Sequence, residues 1–231
     1  MNQKKVIMLF GPPGAGKGTQ AELLSAKLNL HYIESSKIIE SNIMEAKEGD
    51  FVEIGGQKYS LTKEKELWAN GILNTPEVVT FWFDKKIREL AKEGKNLVTT
   101  GIARTLYEAK KITPLLKELY GAENIIVVLI KLSLKESVFR NSNRRLCELM
   151  RHPILYAKET EGLTICPLDG SKLVKRAGLD DPEKIPVRYK QYEERTVPVL
   201  QYFKEDGLII EEVKGEQSVA DVFEDILKVI K

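Results

Sequence analysis

Val6-Ile7-Met8-Leu9-Phe10-Gly11-Pro12-Pro13-Gly14-Ala15-Gly16-Lys17-Gly18-Thr19 joins an apolar run to a glycine-rich loop that ends in lysine, glycine and threonine. Its five apolar residues read as a strand, and Gln20-Ala21-Glu22-Leu23-Leu24 continues as a helix. Between them lies G-x-x-x-x-G-K-[ST] with a register shift: Gly11 opens the loop, and Gly16-Lys17-Gly18-Thr19 closes it. Gly14 and Ala15 line the interior. Glycines are needed because the backbone N–H groups must wrap an anion, and a Cβ would block that approach. The helix that follows adds its positive end to the same anion. Lys17 is placed to reach the outer phosphates of a bound nucleotide. The Gly18 or Thr19 position offers an amide or a hydroxyl next to an accompanying Mg2+ ion.

The rest of the chain sets bounds around that loop. A length of 231 residues fits one medium α/β domain, or one domain with small insertions. Hydrophobic residues at 42% and charged residues at 30% are ordinary for a folded enzyme. A net charge of +2 demands neither nucleic acid nor an anionic membrane. Met1-Asn2-Gln3-Lys4-Lys5 precedes only five apolar residues, too few for a secretory leader, and no run approaches a membrane span. The expectation is a cytoplasmic monomer acting on small molecules. In that compartment two cysteines read as a metal site or free thiols rather than a disulfide.

Apolar runs recur with helical segments between them. Val6–Phe10, Leu97–Thr99, Ile125–Ile130 and Leu208–Ile210 are strand candidates, with His31–Ile33 a weaker fifth. Ile125–Ile130 does not alternate, which suits a central parallel strand. Thr75-Pro76-Glu77 marks a helix start, and Ser133 with Glu136 and Ser218 with Asp221 look like capping boxes. Gly94, Gly121 and Gly207 sit where C-terminal caps belong. The alternation predicts a doubly wound, parallel, five-stranded sheet with its ligand at the carboxyl ends of the strands. Residues 46–60 and 147–175 break the pattern and read as insertions on the ligand-facing edge, the second as a mobile lid.

Beyond the first loop, the chain resembles the adenylate kinase family of nucleoside monophosphate kinases, which share a P-loop NTPase-like core. Lys17-Gly18-Thr19-Gln20-Ala21-Glu22 matches that family's loop-to-helix junction. Gly101-Ile102-Ala103-Arg104-Thr105 sits at its D-G-F-P-R-T, and Arg140-Asn141-Ser142-Asn143-Arg144-Arg145 resembles its R-x-x-G-R-R entry to the lid. Leu179-Asp180-Asp181-Pro182, with Arg188 beyond it, resembles the lid exit, and Lys214-Gly215 fits the adenine-contacting turn. The resemblance spans essentially the whole chain. It implies a core of residues 1–34, 76–140 and 189–231, an acceptor-binding region 35–75 and a lid 141–188.

It also implies reversible transfer of a phosphoryl group from ATP with Mg2+ to a nucleoside monophosphate, with AMP favoured. Such transfer needs in-line positioning and positive charge rather than covalent catalysis. Lys17 would hold the donor's outer phosphates, and Arg104 would clamp the acceptor phosphate, since a guanidinium matches it bidentately. Arg144, Arg176 and Arg188 would converge on the moving group beside Asp180, with Lys175 able to share the task of Arg176. Arg140 would stack on the donor base near Gly215. Ser35, Leu73, Asn74, Gly101 and Glu108 would complete the acceptor pocket.

The departures are informative. Thr100 replaces the aspartate that normally helps hold the magnesium's waters. Ser35-Ser36-Lys37-Ile38-Ile39-Glu40 stands in place of S/T-G-D-x-x-R, so Glu40 replaces a phosphate-binding arginine, and Lys37 replaces an acid and is expected to take over part of that arginine's role. Glu108 replaces the adenine-reading glutamine, and an ionised carboxylate can only accept hydrogen bonds, which suits guanine or cytosine at least as well. These changes keep two alternatives open: a catalytically silent nucleotide-binding regulator, and a kinase for GMP or CMP.

Three of the chain's four cysteines and histidines lie between 147 and 166. Cys147, His152, Cys166 and Asp169 have the ligand types and short spacings of a structural Zn2+ site. Some lids of the resembled family bind zinc through Cys/Cys/Cys/Asp, and Met150 stands where the second cysteine would be. The metal would hold together a lid too small to bury a core of its own.

Overall fold

The computed structural model describes residues 4–151, 153–175 and 183–231. The core alternates strand and helix from the start: β1 (Val6–Phe10), α1 (Lys17–Leu28), β2 (His31–Glu34) and α2 (Ser35–Ile43). A hairpin of β3 (Phe51–Ile54) and β4 (Gln57–Ser60) turns at Gly55-Gly56 and leads into α3 (Leu61–Ala69). Alternation resumes with α4 (Pro76–Lys92), β5 (Leu97–Thr100), α5 (Leu106–Tyr120), β6 (Ile125–Lys131) and α6 (Leu134–Ser142). A second insertion carries β7 (Arg145–Cys147), β8 (Pro153–Ile154) and β9 (Leu173–Val174). The chain closes through α7 (Lys184–Gln191), a π-helical turn at Tyr192–Thr196, α8 (Val197–Glu205), β10 (Ile209–Lys214) and α9 (Val219–Val229).

All five strands of the main sheet are parallel, in the order β10-β6-β1-β5-β2. The five strand candidates are these five strands, although the last runs over Ile209–Lys214 rather than Leu208–Ile210. Successive side chains of β1 feed opposite layers. Val6, Met8 and Phe10 pack with α2, α4, α5 and α8, while Ile7 and Leu9 pack with α1 and α9. Phe203 of α8 is fully buried edge-on against Phe10, with ring centroids 5.4 Å apart. Truncating such a ring to alanine costs about 3–5 kcal/mol.

The helix starts follow the local sequence with two changes. Ser133 and Ser218 accept from the backbone N–H groups of Glu136 and Asp221, but the Ser133 N–H goes to Glu216 and not back to Glu136. Thr75 precedes Pro76 at the head of α4, yet its hydroxyl donates to Glu64 Oε1 at 2.5 Å and caps nothing. Glu64 is 1% exposed and also receives the Thr75 N–H and the Asn74 amide, each at 2.9 Å. This carboxylate ties α3 to α4. The turn-rich 46–60 segment is the β3–β4 hairpin, and 147–175 is a three-stranded sheet in the order β8-β7-β9.

Candidate active site

The donor loop leaves the carboxyl end of β1 and is shaped by two close approaches. Gly11 has φ +143°, and a Cβ on it would strike the carbonyl oxygen of Ile130 in β6. Gly14 has φ +81°, and a Cβ there would come within 2.6 Å of Asn141 Nδ2. Helix α6 therefore lies directly on the loop, and Ser137 Oγ donates to the Pro13 carbonyl at 2.6 Å. Gly16 caps α1 in the left-handed region at φ 84°, ψ 10°. No acidic residue occupies the first turn of α1, so its positive end is uncompensated and suited to an anion. Lys17 Nζ curls back over the loop, donating to the Gly11 and Pro12 carbonyls at 2.7 and 2.8 Å.

Arginines surround this cradle through short relays. Asn141 Oδ1 accepts from Arg144 Nη2 at 2.9 Å, so the residue packed on Gly14 also seats Arg144. Arg140 bridges Glu136 at 2.8 Å and the Gly215 carbonyl at 2.9 Å, joining α6 to the turn after β10. Gly215 is required there, because its Cβ would lie 2.6 Å from the Lys131 carbonyl oxygen. A cleft of about 530 Å³ opens beside Pro12, Leu132, Ser133, Tyr192 and Lys214–Glu216. Arg188 of α7 lies along Gly71, its Cγ 3.2 Å from where a Cβ would sit, and Lys184 donates to the Ala69 carbonyl at 2.8 Å. Helix α7 thus touches the end of α3. Arg176 and Asp180 lie outside the described residues.

The acceptor side is organised around Arg104. Its Nη2 donates to Ser35 Oγ at 3.0 Å, and the guanidinium packs over Gly101, where φ is +74° and any Cβ would collide with it. Ala103 holds φ 55°, an uncommon conformation for a residue with a side chain. The Arg104 backbone is gripped from both sides: its N–H donates to Glu108 Oε2 at 2.9 Å, and its carbonyl accepts from Thr196 Oγ1 at 3.0 Å. Thr196 sits in the π-helical turn between α7 and α8.

Two expected base-pocket residues are engaged elsewhere. Glu108 is 3% exposed and accepts from the Thr105 hydroxyl at 2.9 Å, while its own N–H donates back to that hydroxyl at the start of α5. Burial raises its pKa, against the opposing pull of hydrogen bonds from Arg104 and Thr105 and of the Arg104 and Arg195 charges. Both carboxylate oxygens, expected to face an acceptor base, are turned to the Arg104 N–H and the Thr105 hydroxyl. The Asn74 amide likewise donates to the Glu64 carbonyl at 2.8 Å and to its carboxylate. Leu73 is half-buried beside it, and Glu40 lies half-buried on α2. Lys37 pairs with Glu34 at 3.2 Å with its side chain 71% exposed, so nothing directs it to the position of the missing arginine.

A family model described as adenylate kinase matches residues 9–208. Adenylate kinases of Petrotoga mobilis and Desulforamulus reducens are each 31% identical over 229 residues, 97% of this chain and 97% and 99% of theirs. That of Mycoplasma mycoides is 30% identical over 95% of this chain and 96% of its own. The chain belongs to the adenylate kinase family. It is a nucleoside monophosphate phosphotransferase using ATP, and its core is the P-loop NTPase-like sheet described above. Adenylate kinases use Mg2+ with ATP, and the oxygen-only groups beside the loop, the hydroxyls of Thr19, Tyr32 and Thr100, suit that hard cation.

The lid of this adenylate kinase family member brings Cys147, Cys166 and Asp169 together, their ligand atoms all within 4.8 Å of one another. Both cysteines are buried. Cys166 opens a tight turn, with Gly170 N–H donating to its carbonyl at 3.0 Å and its own N–H to the Ser171 carbonyl at 2.7 Å. The Ser171 N–H and hydroxyl hold Asp169 Oδ1 at 2.9 and 2.8 Å. Hydrogen bonds, first from the Cys147 thiol and then from Ser171, keep the Asp169 carboxyl far below its usual range. Two thiols and a carboxylate converging in this way form a donor set that zinc takes. His152 lies outside the described residues, and Met150 is 62% exposed. Sequence reasoning missed Ser137, Asn141, Thr196 and Glu64. The i, i+4 spacing of Ser137 and Asn141, beside Arg140 and Arg144, would have exposed one face of α6 as loop-facing, whereas Thr196 and Glu64 carry no local signal.

Proposed function

We propose that the chain transfers the terminal phosphoryl group of ATP to AMP, giving two ADP. The observation that carries this reading is the opposition of two anion sites at the carboxyl edge of one sheet. The glycine cradle with Lys17 stands at β1, and Arg104, seated on Ser35 and Gly101, stands at β5. Gly11, Gly14, Ala15, Gly16, Gly18 and Thr19 would wrap the donor phosphates, with Arg140 and Gly215 framing the donor base. Arg104 would clamp the acceptor phosphate, and Arg144 and Arg188, with Arg176 and Asp180 from the lid exit, would neutralise the moving group. Bound Mg2+ would supply charge neutralisation at the donor phosphates. Cys147, Cys166, Asp169 and His152 would hold a structural Zn2+ that staples the lid. The division into a core (1–34, 76–140, 189–231), an acceptor region (35–75) and a lid (141–188) follows the same reading.

The test is a coupled ADP-formation assay with ATP, Mg2+ and each of AMP, GMP, CMP and UMP. AMP turnover well above the others is expected, and equal or higher turnover of GMP or CMP overturns the acceptor assignment. Metal analysis of the same sample should give one zinc per chain, and a sample lacking zinc whose lid is fully protected from proteolysis overturns the staple.

A further inference from the structure

The magnesium shell of this protein has lost an expected charge, and the structure shows what stands beside the gap. In a G-x-x-x-x-G-K-[ST] loop the residue after the lysine brings a hydroxyl to the metal, but here that residue is Gly18. The resemblance would place at 100 an aspartate that helps hold the magnesium's waters, where the chain has Thr100. One side chain from outside the loop reaches the Gly18 position. Tyr32, on β2, brings its hydroxyl to 3.6 Å from where a Cβ on Gly18 would lie, and among the described residues outside α1 no other atom comes within 4 Å. The same hydroxyl is 2.9 Å from Thr100 Oγ1. Tyr32 is the in-register partner of Val98 in β5, two residues before Thr100, so Tyr32 and Thr100 share the sheet face that carries α1.

We infer that the Tyr32 hydroxyl, seated by Thr100, stands where the general loop pattern puts a hydroxyl and accepts a hydrogen bond from a water on the Mg2+ that accompanies ATP. Tyr32 would be the group that touches the hydrated ion, and Thr100 a positioning residue acting through it. A phenol donating to Thr100 keeps a lone pair to accept with. Burial, reinforced by the nearby Glu34 charge, holds the phenol protonated far above neutral pH, so the hydroxyl is neutral in working conditions. Mg2+ sheds its waters reluctantly, which favours an outer-shell contact over direct ligation. The chain would thus orient the ion with neutral hydroxyls where charge is ordinarily used.

This inference rests on ATP occupying the loop, and the experiment separates the two. Binding of Mn2+ to the protein–ATP complex is measured by electron paramagnetic resonance, and metal-free ATP affinity by calorimetry. Tyr32→Phe should weaken metal binding to the ATP complex by about tenfold, the scale of one lost hydrogen bond to a cation's shell, and leave metal-free ATP affinity unchanged. Thr100→Val should do the same to a smaller extent. The decisive variant is Gly18→Ser combined with Tyr32→Phe. A Cβ at Gly18 meets only ordinary van der Waals contact, and the serine returns a hydroxyl to the loop, so metal affinity should recover. Unchanged Mn2+ affinity in Tyr32→Phe overturns the inference, as does a loss that Gly18→Ser fails to recover. Wild-type protein that binds no ATP overturns the donor reading itself, and the inference with it.

Discussion

The donor cradle and the acceptor pocket hold their ligand groups by different means. On the donor side the backbone itself forms the site. Gly11 and Gly14 are held by the Ile130 carbonyl and Asn141, positions at which no side chain fits. On the proposed acceptor side one arginine, Arg104, would carry the phosphate contact, and it is positioned by side chains from distant parts of the chain: Ser35, Glu108 and Thr196. A backbone cradle tolerates little substitution and leaves a plain motif. A side-chain relay can exchange members, which is why Glu108, Lys37, Glu40 and Thr100 all depart from the family pattern around the acceptor and metal while the loop does not.

This contrast can be broken by experiment. The largest effect is expected from Lys17→Ala, which should lower kcat by about 10²–10³-fold for every acceptor alike, read in the coupled assay. A loss confined to one acceptor would mean that the lysine serves the acceptor side. Arg104→Ala should come next, raising the acceptor KM by about a hundredfold with metal-free ATP affinity intact, because a charge-assisted bidentate contact is removed. Comparable weakening of ATP binding in calorimetry would erase the division between the two sites.

Smaller effects sharpen the relay. Thr196→Val removes one hydrogen bond to the Arg104 carbonyl and should raise the acceptor KM about fivefold with little change in kcat, as steady-state kinetics would show. Glu108→Gln should shift AMP, GMP and CMP together by less than about fivefold, since the residue holds the Thr105 hydroxyl at the start of α5 and positions Arg104. A reversal of acceptor ranking in Glu108→Gln would restore the base-reading role that its burial argues against.

The lid and the core differ in a parallel way. The main sheet buries both faces under helices, whereas the second insertion leaves Leu149, Met150, Leu155 and Leu168 each at least 60% exposed and buries Leu146, Cys147 and Cys166. Local pattern was enough for the core, because non-alternating apolar runs and cap residues reflect burial on two faces. It was enough for the metal cluster too, because ligand types and short spacing are constraints within a few residues of chain. It could not say where the polar atoms of Glu108 and Asn74 point, and these are turned toward Thr105, Arg104 and Glu64.

The amino-acid order alone determined the parallel α/β core, the phosphate loop and the Cys147–Cys166–Asp169 grouping, since each rests on periodicity, glycine geometry or spacing along a short piece of chain. Only the tertiary structure decided which hydroxyl faces Gly18, what grips Arg104 and where the Glu108 carboxylate points. Tyr32 and Thr100 are 68 residues apart and Arg104 and Thr196 are 92 apart. Their meeting depends on which strands and helices become neighbours, and no local propensity records that.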